Sequence, residues 1–298
     1  MSTTTNNYTF ATPMPIVPAT IATSDPPGES ETSLESRDRA LFDTIAEKYA
    51  AKDRSPSVRP ARRLRLLQTM RALPQTSLHG KRILEVGCGA GYSVDYLPAD
   101  YACYLGIDYS EMLIDLARAE RQTDRATFAT TNARDLKTDE PFDIIFMIGV
   151  LHHMDQMDEV VENLVSLLSP DGWLVVNEPQ PSNPIVGIAR RLRKQFDASY
   201  SDEQLELTGR EMENCFADAG LTSLRQRPQG LLSTPFAEVP MNPSWLTAPA
   251  SRIACGLDRG IEAIAGRLLT PLTWNVIVAG QKPTDRQSTP QPSRTPAE

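Results

Sequence analysis

Long apolar runs are missing from this chain of 298 residues: none approaches the roughly 20 residues a membrane-spanning helix needs, so no segment reads as transmembrane. The N-terminus lacks a basic start followed by an apolar block, the signature of a secretory signal. Cysteine is scarce. Cys88, Cys103, Cys215 and Cys255 show no CxxC or other metal-ligand spacing, so they read as scattered reduced thiols of a cytoplasmic protein, and no metal site is expected. A basic excess is missing too: 30 Lys and Arg against 38 Asp and Glu leave a net charge of −8, which speaks against a nucleic-acid partner gripped through a broad basic surface. The sequence carries no mark of oligomeric state.

What is present is an ordinary globular mixture, with 40% hydrophobic and 23% charged residues. Residues 1–33 are rich in Thr, Pro, Ser and Asn, which favours a disordered tail, and 283–298 repeat that character. From 34 to 78 the chain reads as helical: Leu41, Phe42, Ile45, Ala46 and Tyr49 recur at helical spacing, and a second helix over Ala61–Leu73 carries Leu64, Leu67 and Met70 on one side. From 79 to 228 strands and helices alternate. Apolar runs at Arg82–Val86, Ala102–Asp108, Thr127–Thr131, Phe142–Ile148 and Trp173–Asn177 are short, and helical stretches at Met112–Arg121 and Asp158–Leu168 separate some of them. That alternation implies parallel βαβ units covered on both faces. Thr208 and Glu211 have capping-box spacing at the start of a helix. Residues 229–272, with several Pro and apolar residues such as Phe236, Trp245 and Leu246, suit an added element over a pocket, and 273–282 read as a final strand.

The strongest local signal is Ile83-Leu84-Glu85-Val86-Gly87-Cys88-Gly89-Ala90-Gly91, a buried strand running into three alternate glycines and then a helix. Glycine is needed where backbone turns sharply or a ligand lies against bare main chain. A dinucleotide loop would place its third glycine at 92, where this chain has Tyr92, so a nicotinamide-dependent oxidoreductase is disfavoured. The next strand ends in Asp108, a carboxylate able to accept both hydroxyl protons of a ribose.

With Glu85, the glycine triplet and Asp108 in these places, the chain resembles the class I S-adenosylmethionine-dependent methyltransferases, especially the small-molecule group with a Leu-His-His segment after the fourth strand. The resemblance covers about Phe42 to Leu221. It implies an α/β, Rossmann-like, doubly wound and mostly parallel seven-stranded sheet, with an N-terminal helical cap and a C-terminal insert over the active site. It implies S-adenosyl-L-methionine as cofactor. Gly87, Cys88, Gly89 and Gly91 would pass beneath it, Glu85 would help hold its methionine end, directly or through water, or else only cap its local loop, and Asp108 would take the ribose. Tyr109 and Met112 would flank the adenine, and Ile148 and Gly149 would present backbone to the amino group. Where the family has Asp-Ala at the adenine edge, this chain has Asn132-Ala133, whose amide oxygen still accepts a hydrogen bond. Tyr49 would touch the methionine end, or else serve as an ordinary core aromatic.

Two of the three histidines, His152 and His153, follow the fourth strand, and Glu178 ends the fifth. His152 as general base, Glu178 as its orienting partner and His153 either turned away or binding substrate form the expected catalytic set. The bland reading is a turn that merely packs. The expected reaction is methyl transfer to a hydroxyl of a secondary metabolite, glycoside or lipid-like precursor. N- or C-methylation, or cofactor binding without catalysis, stay open. Ile185, Ile188, Leu192 and Phe196 share one helical face, with Arg190, Arg191, Arg193 and Lys194 around it. This reads either as contact with a membrane surface or an anionic acceptor, or as a lid helix with a solvated charged face.

Overall fold

Short apolar runs alternating with helices demand a sheet covered on both faces, and the computed structural model shows one over the residues it describes, 34–74, 77–181 and 207–284. The strands are β1 (Arg82–Val86), β2 (Cys103–Asp108), β3 (Ala126–Thr130), β4 (Phe142–Ile148), β5 (Leu168–Pro179), β6 (Thr222–Gln229) and β7 (Asn275–Gln281). They form one seven-stranded sheet in the order β3-β2-β1-β4-β5-β7-β6, with β1 to β5 parallel and β7 antiparallel to both of its neighbours. The doubly wound α/β class expected from the sequence is therefore the one observed.

Successive strand residues point to opposite faces, and the core divides accordingly. Leu84, Ile107, Ile145 and Leu174 pack on one face against α4 (Met157–Ser166) and α5 (Gly209–Asp218). Ile83, Tyr104, Ile144 and Val175 pack on the other, against α2 (Arg59–Met70) and α3 (Glu111–Arg121). Each fully buried Leu, Ile or Val of these layers contributes about 1.5–3 kcal/mol. The capping box of α5 forms as its spacing predicts: the Thr208 hydroxyl accepts from the Glu211 N–H, and the Glu211 carboxylate accepts from the Thr208 N–H.

β6 is the strand no apolar run marks. Its sequence includes Arg225, Gln226, Arg227 and Pro228, because it lies at the sheet edge with most of its residues at least partly exposed. β5 is longer than its apolar run, starting at Leu168, and ends the preceding helix at Ser166.

Helix α1 (Leu34–Arg54) lies against α3 and the turn at Leu151–His153. Residues 229–272 form α6 (Thr234–Glu238), α7 (Ser244–Ala265) and a 3-10 turn at Gly266–Leu272. Both helices pack on α2. The tail 1–33, all but the start of the tail 283–298, and the basic helix read over Ile185–Phe196 lie outside the described residues.

Candidate active site

Strand order reverses between β1 and β4, and at such a switch point the carboxyl ends of the strands leave a crevice. A cavity of about 100 Å³, partly open to solvent, lies there. Its floor is the loop after β1. Gly87 has φ +70°, and a Cβ on it would stand 2.4 Å from a Val150 methyl, so only glycine lets the loop pass beneath β4. Gly91, at φ +77°, faces the Phe128 ring, where a Cβ would stand at 2.7 Å. Gly87 and Gly89 line the cavity; Gly91 and Cys88 do not, because both turn under the loop. The Cys88 thiol lies against Gly106, and burial pushes it well above its ordinary pKa.

Asp108 lines the cavity at the end of β2. Its oxygens accept from the Gly89 N–H at 2.9 Å and the Ser110 N–H at 2.9 Å. Burial raises this carboxyl to about 6, with those N–H groups pulling the other way. Tyr109 lines the cavity beside it, and burial, reinforced by Asp108, raises its phenol. Met112 does not: it is 49% exposed, and Leu113 lines the cavity in its place. The reason is the cap. The Ser110 hydroxyl accepts from the Leu113 N–H, which sets the first turn of α3 with Leu113 inward and Met112 outward.

Glu85 also departs from expectation. Strand alternation turns it away from the cavity that its neighbour Val86 lines, and its carboxyl takes the hydroxyls of Ser93, at 2.7 Å, and Tyr104. Burial lifts it to about 8, against the hydrogen bonds from Tyr104 and Ser93, so it is chiefly a neutral acid at pH 7.

Asn132 and Ala133 line the far wall. The Asn132 amide oxygen, expected to meet an adenine, accepts from the Arg134 N–H at 3.0 Å, and its amide nitrogen donates to Glu35 at 2.8 Å. Glu35 is a site residue that sequence reasoning missed. It lines the cavity from the first turn of α1 and also takes the Arg134 guanidinium at 2.6 Å and the Asp155 N–H at 3.0 Å. Only its place at a helix start, ahead of Phe42 and Tyr49, hinted at it. Those two aromatics line the cavity as well, 5.3 Å apart and edge to face. The cap is tied down further: Asp43 accepts from the Ser110 hydroxyl at 2.6 Å, and Asp38 sits 2.7 Å from His153 Nδ1.

Ile148 and Gly149 line the third wall, followed by Val150 and then the turn Leu151–His153. Glu178, fully buried at the end of β5, organises this turn. One oxygen accepts from the N–H groups of Val150 and Leu151, each at 2.9 Å, and the other lies 2.5 Å from His152 Nδ1. Burial pushes the Glu178 carboxyl up, but His152 and the two N–H groups outweigh it and hold the group below its ordinary value. His153 lines the cavity; His152, 8% exposed, stands beside it with ring centroids 4.0 Å apart. No lining residue comes from 229–272 among the described residues, so the expected covering insert stands against α2 instead.

Comparison with known proteins places this architecture. Residues 84–174 match the family model described as a methyltransferase domain. The ubiquinone biosynthesis O-methyltransferase of Coxiella burnetii is 28% identical over 148 residues, 49% of this chain and 62% of that protein. The phthiotriol/phenolphthiotriol dimycocerosates methyltransferase of Mycobacterium leprae is 27% identical over 165 residues, 54% of this chain and 58% of that protein. The match thus spans about three fifths of the length of these curated relatives. Magnesium protoporphyrin IX methyltransferase from Synechocystis PCC 6803, solved with bound SAH, shares the fold at a TM-score of 0.57 and 13% identity, over 84% of this chain and all of that one.

Proposed function

We propose that this chain, a member of the class I S-adenosylmethionine-dependent methyltransferases, moves the methyl group of S-adenosylmethionine to a hydroxyl of a small or lipid-like acceptor. The observation that carries the reading is the glycine-floored cavity closed by Asp108 on one side and by the Glu178-ordered turn on the other. The residues fit the cofactor. Gly87 and Gly89 offer bare backbone, the Asp108 carboxylate accepts the ribose hydroxyl protons, and Tyr109, Leu113 and Ala133 supply an apolar slot for the adenine. When bound, S-adenosylmethionine supplies an electrophilic methyl carbon and a neutral thioether leaving group. Phe42 and Tyr49, held on α1, keep water from that end of the cavity.

His152 is the general base of this reading. Glu178 fixes Nδ1 as the protonated nitrogen, which leaves the Nε2 lone pair to receive the acceptor's hydroxyl proton. The buried carboxylate then stabilises the imidazolium beside it. His153, tied to Asp38, positions the cap and substrate. The two curated relatives, one an O-methyltransferase by name and one acting on dimycocerosates, support an acceptor of lipid character. Four unpaired cysteines fit a reducing, cytoplasmic setting.

The test is a screen of hydroxylated acceptors with labelled methyl donor, followed by His152→Ala. Turnover should fall by about 10²–10⁴, with S-adenosylhomocysteine affinity unchanged by calorimetry. Full turnover in that variant, with loss in His153→Ala instead, ends the base assignment. Tight cofactor binding with no transfer to any acceptor would point to a non-catalytic binding protein.

A further inference from the structure

Eleven large apolar side chains are markedly exposed among the described residues, and ten of them lie between Leu232 and Leu272; Met112 is the other. An exposed Leu is common on any protein, but a contiguous set is not. At 100° per residue, Leu246, Ile253, Leu257 and Ile264 fall within about 40° of one another around α7, a single stripe along the helix. Trp245, about 100° around the helix from Leu246, is 76% exposed, and Leu268 in the turn after the helix is 87% exposed.

Charge on α7 is sorted just as sharply. The helix has two carboxylates, and both face inward. Asp258 accepts from the N–H groups of Leu231, Leu232 and Ser233 at 2.9–3.1 Å and from the Ser233 hydroxyl at 2.6 Å. Glu262 accepts from the Gly230 N–H at 2.7 Å and from the Gln68 amide. Arg252 and Arg259, two turns apart, are exposed on one flank of the helix, about 120–140° around it from the stripe. The outer face is therefore apolar and cationic, with no exposed acid on the helix to neutralise it. No described helix is long and apolar enough to cross a membrane. A helix with this pattern is suited to lie in the plane of an interface, its apolar side among acyl chains and its cations at headgroup phosphates.

We propose that the outer face of α7, with the turn after it, docks on a membrane surface that contains anionic phospholipid. A second copy of the chain fits less well. A second copy would offer Arg252 and Arg259 no exposed α7 carboxylate to pair with, whereas lipid phosphates supply the missing anion. The docked helix would also adjoin the cap: α7 packs on α2, whose Arg62 lies 5.6 Å from the centroid of the Tyr49 ring in the cavity wall. The proposal concerns a different helix from the basic one read over Ile185–Phe196, and it does not rest on methyl transfer.

The experiment is flotation of the full chain with phosphatidylcholine vesicles, with and without phosphatidylglycerol. The chain should float with the anionic vesicles, less so as salt rises, and Trp245 emission should move to shorter wavelength. Ile253→Glu and Leu257→Glu should each weaken partition about tenfold or more, and Arg252→Glu about fivefold. These side chains are exposed, so circular dichroism and S-adenosylhomocysteine affinity should stay at wild-type values and separate lost docking from lost folding. Three outcomes overturn the proposal. One is failure to float with either vesicle. Another is flotation indifferent to phosphatidylglycerol or to the two Glu substitutions. The third is a dimer in sedimentation equilibrium that those substitutions split, which would give the face to a second copy.

Discussion

The crevice between β1 and β4 and the 230–272 segment use the same device and turn opposite surfaces outward. In each, a buried carboxylate on a regular element gathers backbone N–H groups of a neighbouring loop. Glu178 on β5 gathers those of Val150 and Leu151, Asp108 on β2 gathers those of Gly89 and Ser110, and Asp258 on α7 gathers those of residues 231–233. A rigid element thus supplies the acceptor for N–H groups of a neighbouring loop and helps set its shape. In the crevice the ordered loops close around a cavity, and their apolar side chains face it or the core. In the 230–272 segment the ordered loop fixes α7 so that small buried residues, Ala248, Ser251 and Ala254, face α2 and its surroundings while large apolar ones face out. The lesson is that carboxylate pinning determines which way an element faces, and the residues left over determine what that face can bind.

The strongest way to break this comparison is to remove the pins. Glu178→Ala and Asp258→Ala should each cost about 3–5 kcal/mol, because buried N–H groups lose their acceptor. Urea denaturation would read this, and a loss under about 1 kcal/mol at either site would show that its loop holds without the carboxylate. The next largest effect separates inward from outward on α3. Leu113→Ala should cost about 2–5 kcal/mol by opening a cavity, while Met112→Ala should stay within about 0.5 kcal/mol. Thermal denaturation of the pair would sharpen the register of the adenine wall; equal losses would reverse it.

Asp108 tests whether the crevice is a ribose site. Asp108→Asn should weaken S-adenosylhomocysteine binding by roughly ten- to a hundredfold, the value of charge-assisted hydrogen bonds. In the wild-type protein the ribose hydroxyls need the ionised form of a group whose pKa is about 6, so affinity should fall as pH drops below that value. Calorimetry across pH would reveal this, and a flat profile would remove Asp108 from the ribose. The smallest effect belongs to Glu85. Burial lifts it from 4.5 to about 8, so its contribution to stability is complete below pH 4.5 and is lost as pH rises through about 8. Glu85→Gln should cost less than about 1 kcal/mol below pH 4.5, where the carboxyl is neutral in both the folded and the unfolded chain, and should flatten that decline. Denaturant midpoints measured from pH 4.5 to 8 would check it.

Much of the crevice was legible in the sequence because its signals are local. β1 to β5 announce themselves as short apolar runs, and Gly87, Gly91 and Asp108 sit at fixed offsets from strand ends. The errors have local causes as well. The resemblance sets Met112 against the adenine, whereas one turn of capped helix puts Leu113 there. Glu85 was assigned by its place in the motif, whereas strand alternation turns it to Tyr104. Glu35 could not be found at all, since its partners Asn132, Arg134 and Asp155 are about a hundred residues away in the chain.

Local patterns in the chain were enough to dictate that a parallel sheet would form, that its first loop would be bare backbone, and that a carboxylate would stand at the end of the second strand. These follow from periodicity and from glycine, which act over a few residues. Long-range packing set the rest: that Glu178 also gathers the Val150 and Leu151 N–H groups, that an α1 carboxylate closes the cavity, and that α7 turns its apolar stripe outward. Each of those outcomes depends on which buried polar group finds its partner across the fold, and no local pattern encodes that pairing.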